Sequence, residues 1–149
     1  MQDKSSKMQL LARDSDDLVV LSALLQDSII PGADMIFDRK CSEFVIIANR
    51  FCWEVRPPDD VKSSDGKPIH ERRLCGMRIA HVRTARHYNW PKTSKDELFN
   101  LLALRHVDMA EQGTDGVVIQ FDFSGGSKLQ LNVDYVDIVL ADLGVGHPT

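Results

Sequence analysis

Cysteine, aromatic residues and long apolar runs are all scarce in this chain of 149 residues. The three cysteines, Cys41, Cys52 and Cys75, are odd in number and widely spaced, without the Cys-x-x-Cys pattern of zinc or redox sites. Reduced thiols in a cytoplasmic protein are the expectation. The five histidines form no His-x-x-x-His or His-Glu-x-x-His pattern, and His81 and His87, six apart, suit neither a helix face nor a zinc knuckle. No metal is therefore expected. There is also no Gly-x-Ser-x-Gly elbow, P-loop or dinucleotide fingerprint, so no cofactor is expected and an enzyme is disfavoured. No apolar run approaches the roughly 20 residues that span a bilayer, and MQDKSSKMQ at the start has no apolar secretory core. Neither a membrane role nor export is expected.

What is present is ordinary for a globular domain: 43% hydrophobic and 27% charged residues. One domain over 10–144 is expected, between a disordered start at 1–9 and a flexible tail at 145–149. A chain of this length buries roughly two-thirds of its unfolded surface without a disulfide or a metal.

Val117–Val133, VVIQFDFSGGSKLQLNV, carries the clearest pattern. Apolar residues alternate through both arms around Ser124-Gly125-Gly126-Ser127, the mark of half-buried antiparallel strands. Keeping the apolar faces together predicts an odd loop, Ser124–Lys128, with Phe123 opposite Leu129, Phe121 opposite Leu131 and Ile119 opposite Val133. Leu10–Ala12 suits a short strand. Asp14 or Ser15 can cap a following helix of about four turns, in which Leu18, Leu21, Leu25 and Ile29 recur at helical spacing before Pro31-Gly32. Met35–Asp38 and Phe44–Val55 are expected to form a hairpin, and 56–68 is a Pro-, Asp- and Ser-rich loop. Leu74–Ala85 changes phase near Ile79–Ala80, which calls for a bulge or bend. Leu98–Val107 carries both helical and strand signals; the strand is preferred because it pairs readily with the hairpin. Val136, Val139, Leu140 and Leu143 predict a short C-terminal helix stopped by Gly144. The expected fold is α+β: a curved, mainly antiparallel sheet of six or seven strands, as a sandwich or partial barrel, with one N-terminal amphipathic helix and one short C-terminal helix.

Several segments together are familiar: LLARDSDDLVVLSALLQD at Leu10–Asp27, NRFCWE at Asn49–Glu54, the Arg72-Arg73 pair, LLALRH at Leu101–His106 and FSGGSKLQLNVDYVDIVLADLG at Phe123–Gly144. The chain resembles a bacterial, alphaproteobacterial-type family catalogued as a domain of unknown function, DUF2948. The resemblance covers roughly Leu10–Gly144, is most specific in its closing segment, and implies a bacterial cytoplasmic protein. It brings no catalytic residue with it. The loop after Trp53 is longer here than that family leads one to expect.

Charge is uneven. The net charge is −4, yet Lys67–Lys92 holds Lys67, Arg72, Arg73, Arg78, Arg83, Arg86 and Lys92 against the single acid Glu71. That local net of +6 leaves −10 for the rest of the chain. Two anion-binding candidates follow. Arg50, Arg72 and Arg73 could clamp an anion with Trp53 as a wall; the preferred reading ties the same residues to Asp27 and Glu54 in an ion-pair network, because buried charges need partners. Arg83 and Arg86, beside His87, Tyr88 and Trp90, could hold RNA or a nucleotide phosphate, or could be the wet face of a sheet. Asp14, Asp16 and Asp17 are better explained by helix capping than by Mg²⁺. Cys52 and Cys75 lie in apolar strand patterns, which favour an inert core thiol over a nucleophile paired with His81 or His106. The favoured function is a non-enzymatic binding module with a protein partner; the alternative is RNA or nucleotide-phosphate binding through 67–92. Oligomeric state is left open.

Overall fold

Alternation of apolar residues governs most of the chain, and the architecture follows from it. The computed structural model describes residues 9–51, 72–107 and 116–145. Among these lie ten strands and one α-helix: β1 (Gln9–Ala12), α1 (Ser15–Leu25), β2 (Ile29–Pro31), β3 (Met35–Asp38), β4 (Glu43–Phe51), β5 (Arg72–Ile79), β6 (Val82–Tyr88), β7 (Leu98–Val107), β8 (Val117–Phe123), β9 (Lys128–Val133) and β10 (Ile138–Val145). All pairings are antiparallel. The order is β1-β10-β5-β4-β2-β7-β8-β9-β6 in one open sheet, with β3 beside β4.

The sheet has two halves. β1, β10, β5, β4 and β3 form one; β7, β8, β9 and β6 form the other. Short β2 joins them, with Ile29 opposite both Asn49 of β4 and Asn100 of β7. Two chain crossings bind the halves again at a corner. β5 passes into β6 through Ala80-His81, and β9 passes into β10 through 134–137. There the Ala80 amide donates to Asp137 (3.0 Å) and the Asp134 amide to His81 (3.1 Å). His81 turns this corner in the left-handed region, at φ 59°. The expected phase change near Ile79–Ala80 is this strand break.

Inward residues of both halves share one core, including Ile46, Met77, Ile79 and Leu140 from the first and Leu101, Phe121, Leu131 and Val133 from the second. Leu18, Leu21 and Leu25 of α1 complete it, each burial worth roughly 1.5–3 kcal/mol. Helix α1 starts as its sequence predicts: the Asp14 carboxylate accepts from the Asp17 amide at 2.8 Å. It also closes an exposed edge. β7 pairs with β2 only as far as Asn100, while the Leu101 amide donates to Ser28; beyond it, the Ser22 hydroxyl accepts the Leu104 amide at 3.0 Å.

Three expectations are corrected. Among the described residues there are ten strands in one open sheet, not six or seven in a sandwich or partial barrel, and one α-helix, not two. The segment expected as a C-terminal helix is β10, held between β1 and β5 on both edges. Its burial has a period of two, with Ile138, Leu140 and Asp142 inside and Leu143 outside. Ladder bonds on both sides outweigh a local helical stripe. Helix α1 ends at Leu25, because Asp27 adopts φ 65° and sends Ile29–Pro31 into β2. Pro31-Gly32 therefore closes no helix. Gly32 instead lies so near the turn before β7 that a β-carbon there would fall 1.7 Å from the Ser94 carbonyl oxygen.

The preferred strand at Leu98–Val107 is β7, and the β3–β4 hairpin forms as expected. The β8–β9 loop has the odd length expected, but its register is two residues off. Phe121 faces Leu129 and Ile119 faces Leu131, with the Phe123 amide donating to Ser127. The turn is tighter than Ser124–Lys128: Ser124–Gly126 suffices because Gly125 and Gly126 take φ of 81° and 89°.

Candidate functional site

The inward stripe of β4 runs Phe44, Ile46, Ala48 and then Arg50, so a guanidinium continues a row of core side chains. Arg50 is fully buried. Its Nε donates to Asp142 Oδ1 at 2.9 Å and its Nη2 to Oδ2 at 3.1 Å, a two-pronged pair. Arg73 stands opposite Arg50 across β4–β5 and reaches Asp142 Oδ2 at 3.6 Å. Asp142 itself lies opposite Cys75 on β10–β5, next to a register shift before Gly144. Three strands thus place two arginines around one buried carboxylate.

Arg72 belongs elsewhere. It sits opposite Phe51 on the other face of the sheet, its guanidinium 4.8 Å from that ring's centre. Its Nη1 donates to the Asn49 carbonyl at 3.2 Å and the Asp27 carbonyl at 3.4 Å. Arg50 and Arg73 are therefore brought together, and Arg72 is not part of their cluster. Trp53 and Glu54 lie outside the described residues. Asp142 was not anticipated. The signal for it existed in Ile138, Leu140 and Asp142 at period two, hidden by the competing helical stripe.

Arg83 and Arg86 lie on β6, which ends the sheet. Arg83 occupies the irregularity between Val82 and Thr84 and pairs with Asp134. Arg86 is exposed, opposite Gln130, and makes no ion pair among the described residues. On the inward side His87 stacks on Trp90, ring centres 5.0 Å apart. Trp90 stacks in turn on Phe99 at 4.5 Å and meets Phe123 edge-on. On the outward side of β7–β9 a polar chain runs from the Arg105 guanidinium to Asp122 (2.8 Å), with Gln120 donating to Asp122 (2.8 Å) and Gln130 to Gln120 (2.7 Å).

The basic segment is thus divided among unlike surroundings. Arg72 and Arg73 sit in the first half-sheet, and Arg78 faces Glu43 at 3.5 Å. At the corner His81 lies 3.3 Å from Asp137 and its ring is tilted against that of Tyr135, centres 4.3 Å apart. Among the described residues no three metal-binding side chains cluster. Cys75 is buried. Cys41 is exposed, but hydrogen bonding to Asp38, and after it that carboxylate's charge, push its thiol up. That is the opposite of what a nucleophilic thiolate requires. Cys52 lies outside the described residues.

A shallow groove of about 330 Å³ runs between α1 and β7, lined by Val19, Ser22, Ala23, Gln26, Leu102 and Leu104. Val19 is 69% exposed and Leu102 46%. No helix among the described residues is long and apolar enough to cross a membrane.

Neither the curated proteins nor the solved structures provide a match. The family model described as "Protein of unknown function (DUF2948)" matches residues 8–149, nearly the whole chain. Because that match spans nearly the whole chain, the chain belongs to the DUF2948 family.

Proposed function

We propose that this protein is a non-enzymatic interaction module of the cytoplasm that binds a protein partner. The observation that carries the reading is the α1–β7 groove, in which exposed apolar side chains gather around Ser22 and Gln26. Val19 and Ala23 stand on the outward side of α1 and Leu102 on the adjoining strand, while the neighbouring Leu18, Leu21 and Leu25 already satisfy the core. Apolar side chains left over from the core and gathered on one surface are the usual mark of a binding face. The nucleic-acid alternative draws less support. A phosphate track needs a run of available cations, whereas Arg78 and Arg83 face Glu43 and Asp134 and Arg73 faces buried Asp142.

The test is an affinity capture from native lysate by the wild-type chain and by Val19→Asp and Leu102→Asp, with and without nuclease. The expected result is a bound protein that survives nuclease and is lost in both variants, each folded by circular dichroism. Capture abolished by nuclease, or unchanged in both variants, would overturn the reading.

A further inference from the structure

We infer that the open edge of β6 accepts an extended acidic peptide, which joins the sheet as an additional strand. This concerns a second surface and does not depend on what occupies the α1–β7 groove.

Among the described residues each other spare edge of the sheet is short or closed. β1, at the opposite end, and β3, beside β4, have four residues each, and the spare edge of β7 is met by α1 through the Ser22–Leu104 bond. β6 has seven residues, and only its first amide, Val82, is engaged beyond the ladder, donating to Ser42 at 2.8 Å. From Thr84 to Tyr88 it pairs with β9 on one side and with no described strand on the other. A strand edge of this kind offers a row of backbone donors and acceptors that another extended chain can satisfy.

The side chains say which chain. Thr84, Arg86 and Tyr88 share the outward face with Asn132, Gln130 and Lys128 of β9; Ala85 and His87 share the inward face with Leu131 and Leu129. A strand laid along β6 places one residue beside Ala85, at the margin of the core, where an apolar side chain fits. The residue beside Arg86 meets an exposed guanidinium that has no ion pair among the described residues. Neither β6 nor β9 carries a carboxylate. Cross-strand pairing therefore favours a carboxylate at that position. A second copy of this chain is disfavoured by the same charges, because two β6 edges side by side would bring four arginines together without a new acid. RNA would find the cations but would leave the backbone row unsatisfied.

The test uses the full chain and a fluorescein-labelled peptide of about eight residues alternating Val or Thr with Glu. Three comparison probes accompany it: its Lys-for-Glu counterpart, the same acidic peptide N-methylated at alternate residues, and an oligouridylate of equal length. Anisotropy is expected to show binding of the acidic peptide alone, weakened about tenfold by Arg86→Glu and at least about tenfold by N-methylation. Hydrogen exchange should slow at Thr84–Tyr88. Val19→Asp and Leu102→Asp should leave this binding unchanged, which separates it from the groove. Binding indifferent to N-methylation, binding indifferent to Arg86→Glu, preference for the oligouridylate, or no binding of the acidic peptide would each overturn the inference.

Discussion

Arg50 and Arg83 each face an aspartate more than fifty positions along the chain, and the two pairs differ in nearly everything around them. Arg50 and Asp142 are sealed under β4, β5 and β10, with side chains 0% and 1% exposed. Arg83 and Asp134 sit at the corner of the sheet, 51% and 45% exposed. Inside, the low dielectric makes the attraction strong and the loss of a partner stronger still, because the surviving charge stays buried where water cannot replace that partner. Outside, water and salt stand in for a lost partner. One pair organises three strands; the other decorates an edge that remains available to a ligand. Cationic residues that look alike in sequence have been divided between architecture and surface by burial alone.

The largest effect that would test this contrast is at Asp142. Asp142→Asn keeps the shape and removes the charge, and urea unfolding should show a loss of about 3–5 kcal/mol. A loss below about 1 kcal/mol would mean that the cluster is not the buried pair described. Next, Arg50→Met combined with Asp142→Leu should recover much of the loss of the single variant, since apolar side chains of similar size need no partner. A double variant no more stable than Asp142→Asn would place the cost in packing and not in charge.

At the corner, Asp134→Ala should cost no more than about 1 kcal/mol, and the difference from wild type should shrink as salt is raised. A large, salt-independent loss would erase the distinction between the two pairs. The smallest effect concerns Cys41, where another exposed carboxylate acts on a neighbour. Asp38 raises the thiol's pKa, so the thiolate fraction at neutral pH is reduced. Asp38→Asn should lower that pKa, move the midpoint of the alkylation rate–pH profile to lower pH, and speed alkylation at fixed mildly alkaline pH. An unchanged profile would show that the carboxylate does not control the thiol.

Much of the fold was legible where neighbours in sequence decide the outcome. Asp14 caps α1 because its own side chain reaches three residues on, and β9 alternates between buried and less buried residues while β8 keeps Ile119, Phe121 and Phe123 on the core face. The odd β8–β9 loop followed from the same alternation. Its register did not, since how tightly two glycines turn is not written in the strands. The C-terminal segment was misjudged because Val136, Val139, Leu140 and Leu143 satisfy a helical period while Ile138, Leu140 and Asp142 satisfy a strand period. Only the presence of β1 on one side and β5 on the other chose between them. With that choice went the identity of the partner of Arg50.

The sequence by itself determined the antiparallel character of the sheet, the capped first helix, the bend after Ile79 and the clustering of positive charge at 67–92. These rest on side-chain alternation, local capping and charge count, which act over a few residues. Tertiary structure alone decided that Arg50 and Arg73 meet Asp142 while Arg72 turns to the opposite face, that α1 seals β7, and that β6 is left at the end of the sheet. Those outcomes depend on which strands become neighbours, and burial then separates an arginine that must be neutralised within the fold from one that stays exposed.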